Sequence, residues 1–208
     1  SAQSILEWMC NLQTNGNGGG TSNNGNGNGN GNGAASNNEH LKPTNVSFNI
    51  CINAWRGSKE KNATDVAWYL FESMVRMEEG GHMSGGPDYH TCKVMIHALS
   101  NRVVSGTAHK AERVLQIMIA SNRSNCQPDA SIYNQIMHIY SHNKERNAPL
   151  KCEKLLRDMH ERYLQGDESL QPTTLTFNSL LNTYAKSNSE GAADRSEMIL
   201  QHMQEMFE

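Results

Sequence analysis

The chain has 208 residues, a formal charge of −3 and 37% hydrophobic residues, which is enough for one or two ordinary domains. No apolar run reaches the roughly 18 residues that a membrane-spanning helix needs, so we expect no membrane insertion. The five cysteines lack metal-ligand spacing, which indicates reduced thiols in an intracellular compartment and no metal or cofactor.

Residues 1–12 carry a helical pattern of a small residue, two apolar residues and a methionine, at Ala2, Ile5, Leu6 and Met9. The same pattern recurs further along the chain, so we interpret residues 1–12 as the second helix of a preceding repeat. Residues 13–42 contain a tract, 15–33, made of Asn and Gly apart from one Thr-Ser pair. Such a tract has nothing to bury, and it predicts a disordered insertion between repeats.

Four of the five prolines open similar segments: "PTNVSFN" at Pro43, "PDYHTCK" at Pro87, "PDASIYN" at Pro128 and "PTTLTFN" at Pro172. Their separations are 44, 41 and 44 residues. A fixed period of this size is typical of repeat architectures. It predicts four repeats over residues 43–86, 87–127, 128–171 and 172–208, the last one truncated.

Each opening leads into an amphipathic helix with apolar residues at i, i+3, i+4 and i+7. They are Phe48, Cys51, Ile52 and Trp55; Cys92, Met95, Ile96 and Leu99; Tyr133, Ile136, Met137 and Tyr140; and Phe177, Leu180, Leu181 and Tyr184. A second helical pattern, a small residue followed by two apolar residues and a methionine, begins at a constant distance after each first helix begins. Its small residues are Ala67, Ala111, Cys152 and Ser196. Because a lone helix pair cannot bury both stripes, the pattern predicts an all-α solenoid, a fragment of a longer array.

The openings, together with the later "AxxLLxxM"-like helix, resemble the pentatricopeptide repeat family, although these repeats are longer than the family norm. The resemblance covers residues 43–208 and the half-repeat at residues 1–12. It implies single-stranded RNA binding at roughly one base per repeat. It also implies a non-enzymatic protein of the mitochondrion or plastid that acts in RNA processing, stability or translation.

The resemblance further implies which side chains contact RNA. Bases would be read by the residue six positions after each Pro together with the residue after the next Pro: Asn49 with Asp88, Lys93 with Asp129, Asn134 with Thr173, and Asn178. The residues that would sandwich the bases are Val46, His90, Ser131 and Leu175. The candidates for phosphate contact are Lys186, Arg56, Arg102 and Lys144. The family rule for Asn with Asp is uridine, whereas Asn with Thr indicates a pyrimidine and Lys93 departs from the pattern.

Other interpretations stay open at this stage. The residues after the prolines are good helix N-caps whether or not they touch RNA. A net negative charge is unusual for a nucleic-acid binder, so a protein-binding scaffold within a larger assembly is the alternative. The distribution of Lys and Arg along the first helices would discriminate the two. The sequence contains no nucleophile–base constellation and no phosphate-cradling Gly loop that would indicate an enzyme, and it leaves the oligomeric state undecided.

Overall fold

The computed structural model describes residues 43–83, 85–102, 104, 106–121, 123–142, 145, 147–187 and 189–205. The predictions for residues 1–12, for residues 13–42 and for Lys144 lie outside this part of the chain. Within it, all regular structure is helical and no strand occurs. None of the described helices is both long and apolar enough to cross a membrane.

The eight α-helices of the described ranges form four consecutive pairs, and each pair has a first and a second helix. The first helices are α1 (Asn45–Gly57), α3 (Tyr89–Ser100), α5 (Ala130–His142) and α7 (Thr174–Lys186). The second helices are α2 (Ala63–Glu79), α4 (Thr107–Ala120), α6 (Ala148–Leu164) and α8 (Ala192–Glu205). Two short 3₁₀ helices, Ser124–Cys126 and Glu168–Leu170, lie in the connections between pairs. The predicted all-α, solenoid-like architecture is confirmed.

The first helices begin where the Pro-Asp/Thr openings predict. The Asp88 carboxylate accepts a hydrogen bond from the Thr91 backbone N–H at 2.8 Å, which satisfies one of the free donors at the start of α3. At α7 the Thr173 backbone N–H donates to the Thr176 hydroxyl at 3.0 Å. The connection before α5 is held by the Cys126 thiol, which donates to the Pro87 carbonyl at 3.1 Å.

The apolar stripes form the core, and they are best covered in the middle of the array. All four stripe positions of α3 and all four of α5 are buried. The small residues Ala67, Ala111 and Cys152 are fully buried, which is what a close approach of the two helices in a pair requires. By contrast, α8 has no buried residue, because no described helix packs on its outer face.

The two rows of helices are spaced differently. Each first helix packs on the next one, from α1 to α3, α5 and α7, through close backbone approach. Within the described ranges, consecutive second helices lack such extensive packing and are joined by long side chains. These ion pairs are Lys110–Asp65 (2.9 Å), Arg113–Glu72 (2.8 Å), Lys151–Glu112 (3.1 Å) and Arg195–Glu153 (3.6 Å). Within the described ranges the array is therefore packed more tightly along its first-helix row than along its second-helix row.

Candidate nucleic-acid interface

Charge is sorted between the two rows of helices. None of the four first helices contains an Asp or a Glu, whereas each of the four second helices contains at least one. The first helices carry Arg56, Lys93 and Lys186, as well as four histidines. The negative net charge of the chain therefore does not describe this face, which is free of acidic side chains within its helices and suited to a polyanion.

Cationic groups from neighbouring first helices lie close together. Burial, followed by the charges of Lys93 and Arg56, lowers the pKa of His97. Burial, followed by the charges of His142 and Lys186, lowers the pKa of His138 in the same way.

Lys186 belongs to this cationic group through a direct contact. Its ammonium on α7 lies 3.1 Å from the Nε2 atom of His142 on α5. Lys186 has no carboxylate partner on the first helices, so its positive charge is available for the binding of anions.

Two of the predicted base-reading asparagines have an unusual environment. The side-chain oxygens of Asn49 and Asn134 are buried, and neither accepts a hydrogen bond from any described residue. Buried polar atoms without a partner are rare in folded proteins and are found at functional sites. Asn178, in the same register on α7, is exposed instead.

The first pair predicted to read a base, Asn49 and Asp88, comes from neighbouring repeats. The Asn45 side chain donates to the Gly86 carbonyl at 3.0 Å, which ties the first turn of α1 to the segment that enters α3. Asp88 Oδ1 accepts from the Thr91 backbone N–H and hydroxyl, both at 2.8 Å. No described residue donates to its other oxygen, so capping leaves one carboxylate oxygen available.

The second pair, Lys93 and Asp129, is connected through Tyr89. The Lys93 ammonium lies 3.4 Å from the Tyr89 hydroxyl, which in turn donates to Asp129 Oδ2 at 2.8 Å. Burial and this contact with Asp129 raise the pKa of Tyr89 to about 12. The other oxygen of Asp129 caps α5 by accepting from the Ile132 N–H at 3.0 Å. This pair is satisfied within the protein, unlike the asparagine sites.

The remaining base-contact candidates lie at the surface. Thr173, the partner predicted for Asn134, is exposed at the start of α7. Val46 and Leu175 are 64% and 61% exposed, so both side chains are accessible to a ligand. His90 is exposed, and Ser131 is half-buried.

The candidates for phosphate contact differ in how freely they can reach a ligand. Arg56 is exposed and donates through Nε to the Asn53 side chain at 2.8 Å. The Arg102 guanidinium donates to the backbone carbonyls of Lys59 and Glu60 in the turn between α1 and α2. Its contacts hold two neighbouring pairs together, and Arg102 is therefore the least available of the described candidates.

Sequence reasoning did not identify Tyr89 and three histidines, His97, His138 and His142, as part of the first-helix face. The signal that could have found them is that every first helix lacks acidic residues. This pattern can be seen in the sequence once the helix bounds are known. The contact between Tyr89 and Asp129 joins residues 40 positions apart, so no local pattern indicates it. No group of three or more potential metal ligands occurs among the described residues.

The fold defines a class: a helical-repeat protein with a row of first helices and a row of second helices. Residues 116–187 match the family model described as pentatricopeptide repeat domain. No curated protein and no solved structure matches the chain. That match confirms the predicted resemblance over these residues.

Proposed function

We propose that the protein binds single-stranded RNA along its first-helix face, with one nucleotide per helix pair and the repeats divided as the sequence predicts. The family match supports an RNA-binding repeat protein at this general level. The role is binding rather than catalysis, and the site of action is a mitochondrion or plastid, in RNA processing, stability or translation.

The observation that carries the proposal is the pair of buried, unpartnered amide oxygens of Asn49 and Asn134. An asparagine amide offers an acceptor and a donor side by side. A pyrimidine such as uracil offers the complementary arrangement, a ring N–H beside a carbonyl. A rotation of each amide would turn its oxygen outward, where a bound base would supply the hydrogen bond that the oxygen lacks. Asp88 would favour uridine at the first site.

The exposed aliphatic side chains Val46 and Leu175 fit this arrangement. Each precedes an asparagine reader by three residues on the same helix, and therefore lies on an adjacent part of the helix surface. An apolar side chain there can cover the face of a base while the amide contacts its edge. Arg56 and Lys186 would then contact the phosphates between successive bases.

The test compares single-stranded oligonucleotides of uridine, cytidine and adenosine by fluorescence anisotropy at low salt. We expect the full chain to prefer the uridine oligonucleotide. The double variant Asn49→Leu/Asn134→Leu should lose that preference. Lys186→Gln should weaken the binding of all three RNAs alike and reduce the slope of log affinity against log salt concentration by about one. Glu197→Gln, on the second-helix row, is the matched control and should change nothing. Equal binding of all RNAs by both the parent chain and the double variant would contradict base reading.

A further inference from the structure

The second-helix side carries an open groove that the proposed RNA site does not use. It lies between α6 and α8 over the stripe of α7 and has a volume of about 330 Å³. Four apolar side chains line it: Leu156 and Ile199 are half-buried at its sides, and Phe177 and Leu180, which are 6% and 1% exposed, lie at its floor. Arg157 and Arg195 stand among the residues that line it, together with two histidines.

Along the second helices, the apolar position of Leu156 is less buried than its equivalents in the two preceding repeats. The residues that occupy the position of Leu156 in the two preceding second helices are Phe71 and Leu115, which are 0% and 5% exposed. Leu156 is only half-buried. The apolar surface that earlier junctions seal is open here.

The charge around the groove is positive. Glu153, the only acidic residue that lines it, accepts a hydrogen bond from the Tyr184 hydroxyl at 2.5 Å and pairs with Arg195 at 3.6 Å. Arg157 is exposed and makes no ion pair with any described residue. An apolar floor with an unpaired cation at its edge is complementary to an apolar surface with acidic flanks.

We propose that this groove docks an amphipathic helix of a protein partner, with apolar residues facing the floor and acidic residues facing Arg157 and Arg195. A helix presents such residues at i, i+3, i+4 and i+7, which is the usual way in which a helix occupies a groove between two others. The groove lies on the row opposite the first helices. RNA and the partner helix can therefore be bound at the same time.

The probe for this site is a labelled synthetic helix of about 15 residues, with Leu at the four anchor positions and Glu at the flanking positions. A second probe carries Lys in place of Glu. We expect the full chain to bind the acidic probe saturably in an anisotropy titration and to bind the basic probe at least about tenfold more weakly.

Three variants locate the binding. Arg157→Glu changes an exposed residue, so the fold is kept, and it should weaken the acidic probe about tenfold. Ile199→Gln should abolish binding, with circular dichroism to verify the helix content. Met198→Gln, at an exposed apolar residue of the same helix that does not line the groove, is the control and should bind normally.

Several outcomes would overturn the proposal. They are equal binding of both probes, binding that Arg157→Glu does not alter, and competition between the acidic probe and uridine oligonucleotide for one face. A dimer in sedimentation velocity that Arg157→Glu dissociates would show that a second copy of the chain occupies the groove instead. Because the peptide titration contains no RNA, its failure leaves the proposed RNA function untouched, and failure of RNA binding leaves the groove untouched.

Discussion

Replacing Asn134 by Leu should make the protein more stable while it impairs base reading. Asn134 is 8% exposed, its side-chain oxygen is buried, and no described residue donates to it. Leu has a similar size and no polar atom. The substitution therefore removes a buried acceptor that the RNA-free protein leaves unsatisfied.

The magnitude follows from two contributions. A buried polar atom without a hydrogen bond costs about 1–3 kcal/mol of stability. Leu also has a higher helix propensity than Asn, by a few tenths of a kcal/mol. Asn134→Leu should thus raise the free energy of unfolding by roughly 1–2 kcal/mol, which corresponds to an increase of about 3–6 °C in Tm for a chain of this size.

Asn178 provides the matched control within the same chain. It occupies the same position on α7 but is exposed, so Asn178→Leu gains the helix propensity and nothing else. Urea denaturation followed by circular dichroism should show a gain for Asn134→Leu that exceeds the gain for Asn178→Leu by about 1 kcal/mol or more. In RNA titrations, Asn134→Leu should cost about 1–3 kcal/mol at one nucleotide position.

Equal stability of the two variants, or destabilisation of the protein by Asn134→Leu, would contradict this prediction. The first outcome would mean that water satisfies the Asn134 oxygen in solution. The second would mean that the amide makes a favourable contact within the fold. In either case Asn134 would lose its status as a reader poised for a base.

Three further predictions concern stability. Leu99→Ala, at a fully buried position, should cost about 2–5 kcal/mol in urea denaturation, whereas Leu200→Ala, at a half-exposed position, should cost less than about 1 kcal/mol. Glu112→Ala should cost about 1–3 kcal/mol because it removes the hydrogen-bond partner of the buried Tyr140 hydroxyl, whereas Glu112→Gln, which keeps an acceptor, should cost less. The pKa of His97 in the folded protein lies below its unfolded value of about 6.5, so the unfolded state binds more protons and stability should fall as the pH drops through about 6.5. Thermal melts at successive pH values should show a weaker acid dependence for His97→Gln than for the parent chain, and an unchanged dependence would exclude this histidine as the cause.

The junctions between second helices show how far periodicity alone can carry a prediction. The chain reads "KAE" at the start of α4 and "KCE" at the start of α6, and the base of the later motif pairs with the acid of the earlier one, as Lys151 does with Glu112. In α2, Trp68 occupies the position equivalent to Glu112. The Lys110 ammonium lies 5.7 Å from the centre of the Trp68 ring. Each junction is thus a pairing of equivalent positions in successive repeats, and the repeat period predicts which positions meet.

The sequence by itself determined the helices, their pairing and their buried stripes, because helix period, Pro-Asp/Thr openings and small residues act within one repeat. Only the tertiary structure decided which equivalent residues differ. Asn134 and Asn178 occupy the same position in successive first helices, yet the side-chain oxygen of Asn134 is buried and the side chain of Asn178 is exposed. Burial at this position depends on the helices of neighbouring repeats, which no pattern within one repeat describes. For the same reason Tyr89 links Lys93 to Asp129 across 40 residues, a contact that depends on how two pairs stack rather than on any local pattern.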